Sequence, residues 1–386
     1  MKCLSTKATS IKPSGIRKFF DLASTMEGVI SLGVGEPDFA TPWHICENAI
    51  HYMSTGHTHY TANRGLLELR EEICKFHKEH YNQVYDPENE VIVTIGGSEA
   101  IDLCMRALLN PGDEVIVLDP NYVAYAPSVI LSDGVVVPLK LKEENDFKIL
   151  PKDLKKVITP KTKAMIINYP SNPTGGVMTK EDYAKIIDII KESGIYVISD
   201  EIYAELSFDQ PFASLAQFDE IKSQIIVVNG FSKAYAMTGW RLGYCMANKE
   251  LSSVMNKIHQ YVIMSAPVMS QYAGIEAIKN GYNDVSMMKE DYLKRRNFLV
   301  NRLNRMGLKT NMPHGTFYVF CNIQSTGLDS ETFCERLLQE QKVACVPGNA
   351  FGNSGEGYVR ISYAYSIDHI KEAVVRLEQF LKDLDK

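Results

Sequence analysis

No run of apolar residues in this chain is long enough to span a bilayer, and the N-terminal stretch lacks the apolar core of a signal peptide. Those absences point to a cytoplasmic protein with no membrane contact. Blocks of one charge sign are missing too. The net charge of −6 is spread along the chain, so no footprint for nucleic acid or an anionic membrane is expected. The cysteines at 3, 46, 74, 104, 245, 321, 334 and 345 never fall into C-x-x-C pairs, which argues against a zinc site or a redox dithiol. Nearly all are expected to be buried, reduced thiols, Cys104 and Cys334 in particular lying inside apolar helical patterns. No G-x-G-x-x-G follows an apolar strand, so a nicotinamide dehydrogenase is disfavoured. What remains is 45% apolar and 23% charged over 386 residues, an ordinary globular composition with length for two domains.

Between about residues 90 and 250, short apolar runs alternate with helical patterns. The runs are Val91–Ile95, Val115–Leu118, Ala164–Asn168, Ile195–Ser199, Ile225–Val228 and Leu242–Met246. Continuous rather than alternating apolarity is the signature of strands buried on both faces of a mostly parallel sheet. Ser98–Leu109 and Lys180–Ser193 are expected to be helices between them. An α/β order of this kind places ligands at the carboxyl ends of the strands. After residue 284 the pattern changes: a long helix over Val285–Met306, strands at Phe317–Cys321 and Tyr358–Ser362, and a closing helix in Ser366–Leu384 with Ser366 as its cap. The expected division is a large domain at 46–284 and a smaller α+β domain made of 1–45 and 285–386, with the Gly- and Pro-rich Ser31–Pro42 as a connecting loop.

Five segments carry chemistry. In NGFSKAYAMTGWRLG (229–243) a buried strand delivers Ser232 and Lys233 to a ligand-facing turn, where desolvation would free the lysine amine for Schiff-base chemistry. Arg241, eight residues on, can grip a phosphate with two prongs. Taken alone, Lys233 would read as a solvated surface lysine; its neighbours reverse that. In IYVISDEIY (195–203) the strand ends on Asp200, followed by Tyr203. A buried carboxylate there can keep a pyridinium nitrogen protonated; a helix cap or turn residue is the alternative, and the other segments favour the buried role. VIVTIGGSEAIDLCMRALL (91–109) reads as strand, turn and helix, and the first-turn N–H groups near Gly97 and Ser98 form a phosphate cradle. NYPSNPTGG (168–176) is an irregular turn that exposes Asn172 and makes Asn172–Pro173 a candidate cis peptide. In YVRIS (358–362) Arg360 stands between apolar neighbours, so it needs either an internal carboxylate or the carboxylate of a ligand.

Together with GVGEPDFATP and HYTANRGLLELR, these segments, in this order, resemble the class I/II aminotransferases, enzymes of the aspartate-aminotransferase fold that use pyridoxal 5'-phosphate. The resemblance covers nearly the whole chain. It implies a large domain built on a mostly parallel seven-stranded sheet flanked by helices (fold type I), plus the smaller α+β domain. It also implies that Lys233 holds the cofactor and then shuttles the substrate proton, that Asp200 pairs with the ring nitrogen, and that Tyr203 and Asn172 touch the ring's O3'. Gly97, Ser98, Ser232 and Arg241 would hold the phosphate, Tyr122 would stack on the ring, and Arg360 would bind the substrate α-carboxylate with Asn172 and the backbone of Gly35. Tyr60 would reach the phosphate of a neighbouring subunit, which implies a homodimer with shared active sites. Gly230 departs from the pattern, since many relatives carry a phosphate-binding Ser or Thr there.

The substrate is less legible. Amino acid and 2-oxo acid partners follow from the resemblance, with 2-oxoglutarate as the default acceptor and aspartate, an aromatic residue or alanine open as donor. Arg106 could read a distal carboxylate, but Asp102 one turn earlier makes an ordinary i,i+4 pair the better account. His57 and His59 could line a pocket and are more simply structural. A β-eliminating carbon–sulfur lyase on the same fold, and a non-catalytic regulatory module that binds the cofactor, stand as rivals.

Overall fold

The computed structural model describes residues 2–11, 13 and 26–384. Twelve strands follow one another as β1 (Ile30–Ser31), β2 (Val91–Thr94), β3 (Glu114–Asp119), β4 (Val135–Lys140), β5 (Thr162–Asn168), β6 (Tyr196–Asp200), β7 (Ile225–Gly230), β8 (Gly243–Met246), β9 (Tyr318–Asn322), β10 (Val343–Ala344), β11 (Val346–Pro347) and β12 (Tyr358–Ser362). Seven form one sheet in the order β2-β8-β7-β6-β5-β3-β4. The pairs from β7 through to β4 are parallel, whereas β8 runs antiparallel to both β7 and β2. Two reversals restore direction, so β2 points the same way as β7. The carboxyl ends of β2, β3, β5, β6 and β7 therefore open on one edge.

Continuous apolarity has the physical cause expected of it. Along β5, Met165 and Ile167 join one buried cluster while Ala164 and Ile166 join another; Val227 and Val228 divide in the same way on β7. Each face of the sheet is thus sealed by its own core. The strand absent from the six apolar runs is β4. It is an edge strand, Val135 is exposed, and Pro138, which has no N–H to donate, sits where only one neighbour needs pairing. Lys180–Ser193 is not one helix but two, Lys180–Ala184 and Ile187–Ser193. The first is fixed by a capping box at Thr179, and the chain leaves helical geometry around Ile186, whose side chain is buried.

Beyond this sheet, β11, β12 and β9 make a three-stranded antiparallel sheet, and β1 pairs in parallel with β10. The long helix spans Tyr282–Arg305 and the closing helix Ile367–Leu384. Ser366 caps the latter, its Oγ accepting from the His369 N–H at 3.3 Å. Ile370, Ala373, Val374, Leu377 and Phe380 are buried as their spacing requires, with Leu381 half-buried. The cysteines are all free; Cys104, Cys245, Cys321, Cys334 and Cys345 are buried, Cys46 and Cys74 are half-buried, and Cys3 is exposed. Among the described residues no helix is long and apolar enough to cross a membrane.

His44 joins the helix Trp43–Ser54 to two later helices. Partial burial opposes its charge, but hydrogen bonds to Glu276 (2.7 Å) and Asp284 (3.0 Å) prevail and raise its pKa above 6.5. A raised histidine pKa adds stability that is complete below the unfolded value and is lost as pH climbs through the folded one. The difference in melting temperature between the wild type and His44→Gln is therefore expected to be largest at about pH 6 and to shrink by about pH 8. A difference that widens with pH would reverse this assignment.

Candidate active site

The common edge of the large sheet holds a cavity of about 340 Å³, within the range of small-molecule sites. Its lining includes Gly35, Gly97, Ser98, Tyr122, Asn172, Asp200, Tyr203, Ser232, Lys233, Arg241 and Arg360. Of the residues singled out for cofactor or substrate, only Tyr60 lies elsewhere; it is 84% exposed on its own subunit.

Each side chain arrives from a strand end. Lys233, three residues past β7, is half-buried, and its Nζ donates to the Gly35 carbonyl at 2.5 Å. Burial, reinforced by Arg360 and Arg241 and only partly offset by Glu36 and Asp200, lowers its pKa to about 8. Asp200 closes β6. Its Oδ2 accepts from the Tyr125 hydroxyl at 2.6 Å and its Oδ1 from the Ile202 N–H at 3.2 Å. Burial raises its pKa to about 6 despite those hydrogen bonds and the nearby Lys233. No cation within the chain is salt-bridged to it among the described residues.

Arg360, on β12, is only 3% exposed. Nη1 donates to Asn172 Oδ1 at 2.8 Å and Nη2 to the Gly33 carbonyl at 2.6 Å, while Nε has no partner. Among the described residues no internal Asp or Glu pairs with it. Asn172 follows β5 across a cis peptide to Pro173, as its sequence context suggested, and its N–H is held by Asn168 Oδ1 at 2.9 Å.

The anion end is made by close backbone packing. Gly96 opens the helix Gly96–Leu108 with φ +71°, and a Cβ there would lie 2.7 Å from Arg241 Nη2. A Cβ on Gly243 would lie 2.6 Å from the Gly96 carbonyl carbon. Only glycines let β8, the helix start and the Arg241 guanidinium meet, and Gly97 and Ser98 of the first helical turn line the cavity beside that cation. Gly230 has a local reason as well: a Cβ would be 3.0 Å from both the Leu242 carbonyl and Gly243 Cα.

Sequence reading missed Tyr125, Asn168 and Tyr318. Tyr125 stands in the same DPNYVAY segment as Tyr122 and was passed over because an aromatic on a helix reads as core. Asn168 ends an apolar strand, which is a detectable signal. Tyr318 lies in an apolar strand and carried none. Conversely, Arg106 pairs with Asp102 at 2.7 Å on the exposed helix face and does not line the cavity.

One cavity therefore offers a nucleophilic amine, a buried carboxylate, a cradle for a phosphate and a buried fork for a carboxylate. That set fits pyridoxal phosphate together with an amino acid. A family model described as aminotransferase class I and II matches residues 27–377. Aromatic-amino-acid aminotransferase 2 of Thermococcus litoralis is 43% identical, and aspartate aminotransferase of Pyrococcus abyssi 44% identical, each over 98% of both chains. The structure of Thermus thermophilus aspartate aminotransferase with maleate superposes with a TM-score of 0.94 at 36% identity, covering 98% of this chain and all of that one.

A lysine pKa of about 8 is directly measurable. In cofactor-free protein, the rate of Lys233 acylation, followed by peptide mass spectrometry, should rise with pH to a midpoint near 8. A midpoint at the ordinary 10.5 would show the amine to be solvated.

Proposed function

This chain belongs to the class I and II aminotransferases and uses pyridoxal 5'-phosphate, and from that premise we propose that it moves an amino group from an L-amino acid to 2-oxoglutarate in a ping-pong cycle. The donor is of aspartate, aromatic or alanine type. The carrying observation is the buried Arg360 fork, without a protein carboxylate, facing the same cavity as Lys233 and Asp200.

When bound, the cofactor supplies an electron-withdrawing ring that takes up charge from the substrate's α-carbon. The chain's own groups do the rest. Lys233 would hold the cofactor and, as a free amine, take and return the α-proton; its lowered pKa leaves a useful fraction of free amine near neutrality. Asp200 gains a partner for its buried charge in a protonated ring nitrogen. Tyr203 and Asn172 would serve O3', and Tyr122 would hold the ring. Gly97, Ser98, Ser232 and Arg241 take the phosphate without a hydroxyl at 230. Arg360 orients the α-carboxylate with Asn172 and the backbone of Gly35.

The proposal includes a homodimer with shared active sites. Tyr60, Tyr261 and Met264 are exposed, and the Asn63 amide joins their segments by donating to the Met264 carbonyl at 2.8 Å, so Tyr60 is free to reach a partner's phosphate. It also divides the chain into 46–284 and 1–45 with 285–386, supported by an apolar cluster around Tyr292, Phe317 and Phe380 that the second part chiefly supplies, with Tyr203, Leu206 and Ala236 joining it from the first, and it assigns the enzyme to the cytoplasm. The lyase and regulatory readings share the cofactor residues, but the similar proteins are named aminotransferases.

A screen of the twenty amino acids against 2-oxoglutarate, oxaloacetate and pyruvate identifies the pair; pyruvate and ammonia released from cysteine without any 2-oxo acid would establish a lyase instead. Lys233→Ala should lower turnover by about 10²–10⁴-fold while leaving cofactor bound noncovalently, and near-normal turnover would remove the mechanism. Arg360→Lys keeps the charge but loses the fork, so KM for the donor should rise about tenfold, equivalent to about 1.4 kcal/mol, with kcat much less affected. An unchanged KM would take the α-carboxylate away from Arg360.

A further inference from the structure

We infer that Tyr318 is a positioning residue that couples the guanidinium of Arg360 to the phenol of Tyr203, so that one side chain sets both the carboxylate fork and the hydrogen bond to the cofactor's ring oxygen. The inference rests on the roles just proposed for those two residues. Three contacts carry it. In the antiparallel β9–β12 pair, Phe320 stands opposite Arg360 and Tyr318 opposite Ser362, which makes Tyr318 the diagonal same-face neighbour of Arg360. The guanidinium carbon accordingly sits 4.2 Å from the Tyr318 ring centroid, with the Phe351 ring at 4.8 Å. With only two hydrogen bonds and an orphan Nε, Arg360 depends on that ring for its placement.

The second contact is hydroxyl to hydroxyl: Tyr318 and Tyr203 lie 3.0 Å apart, and either oxygen can donate. If Tyr203 spends its proton on the ring oxygen, Tyr318 must be the donor, and a donated proton makes Tyr203 the stronger donor in turn. The third is steric. The Tyr318 hydroxyl presses against Gly35, whose carbonyl accepts from Lys233, so closely that a Cβ at 35 would overlap it. The charged and titratable groups facing the tyrosine pair are Arg360 on β12, Tyr122 after β3 and Glu36 beside Gly35. All of these are retained when Tyr318 alone is changed.

The test uses holoenzyme of Tyr318→Phe and Tyr318→Leu. Phe keeps the ring and loses the hydroxyl: KM for the donor should stay within about twofold, while the pH at which the lysine-bound cofactor's absorbance titrates should rise by about half a unit, a threefold change in the protonation ratio. The rise follows because weaker donation to the ring oxygen favours the protonated form. Leu loses the ring as well and should raise KM about tenfold. Gly35→Ala should impair cofactor binding, and Tyr318→Phe should rescue it, since the nearest remaining atom is then a ring carbon at 3.4 Å. An unmoved titration in Tyr318→Phe, equal KM changes in Phe and Leu, or no rescue of Gly35→Ala would overturn the coupling. If wild-type enzyme shows no lysine-bound cofactor absorbance at all, the aminotransferase reading itself falls, an outcome distinct from the other three.

Discussion

A guanidinium withdrawn from water and given no carboxylate is the constraint on which this site depends. Taking an ion into a protein interior costs several kcal/mol unless a counter-charge meets it. Arg360 receives only an amide oxygen and a backbone carbonyl, and Asp200, buried in the same cavity, receives a phenol and one N–H. Among the described residues neither charge has a salt-bridge partner. The upward shift of Asp200 and the downward shift of Lys233 express the same physics, because a cavity lined this way resists every charge until a ligand brings the complementary ones. In the proposed function a substrate carboxylate and a protonated ring nitrogen would be those complements.

Such a cavity weakens the fold that carries it, and the architecture shows where the cost is offset. The strands that deliver Asn168, Asp200 and Lys233 are sealed on both faces by separate apolar cores, so their ends can hold poorly satisfied groups without the strands giving way. The double reversal through β8 brings the start of the helix Gly96–Leu108 to the same edge, and glycines at 96 and 243 let backbone approach backbone there. A phosphate cradle thus comes from sheet topology together with missing side chains, with Arg241 added at its rim.

This explains what could be read beforehand. Charged residues that interrupt or end apolar strands are visible in sequence, because burial without a partner is anomalous; Arg360 and Asp200 read that way, whereas Lys233 stands out only through its neighbours in the NGFSKAYAMTGWRLG segment. The strands around them are legible from their continuous apolarity. Tyr125 and Tyr318 act through a single hydroxyl on a ring that is also core, so pattern alone cannot separate them from packing residues. The edge strand β4 escaped because it is decided by its neighbours, having a single pairing partner.

The same reasoning limits how side-chain selectivity can be built. In the proposed ping-pong cycle the donor and the 2-oxo acid would occupy one cavity in turn, so whatever contacts the donor's side chain would also have to admit the distal carboxylate of 2-oxoglutarate. The cations lining this cavity within the chain are Lys233, Arg241 and Arg360, and the proposed roles use all three. Arg106 is spent on Asp102 outside it. Apart from Asp200, the rest of the lining is neutral, including Ser98, Tyr122, Ala124, Ser128 and Thr238. A fixed cation would favour an acidic side chain and penalise an aromatic one by leaving its own charge unmatched. Neutral hydroxyls and rings impose a smaller difference, because water can still reach a carboxylate beside them while an apolar side chain packs on the same surface. Within this subunit, discrimination between acidic and aromatic donors therefore rests on packing and hydration rather than on a dedicated ion pair.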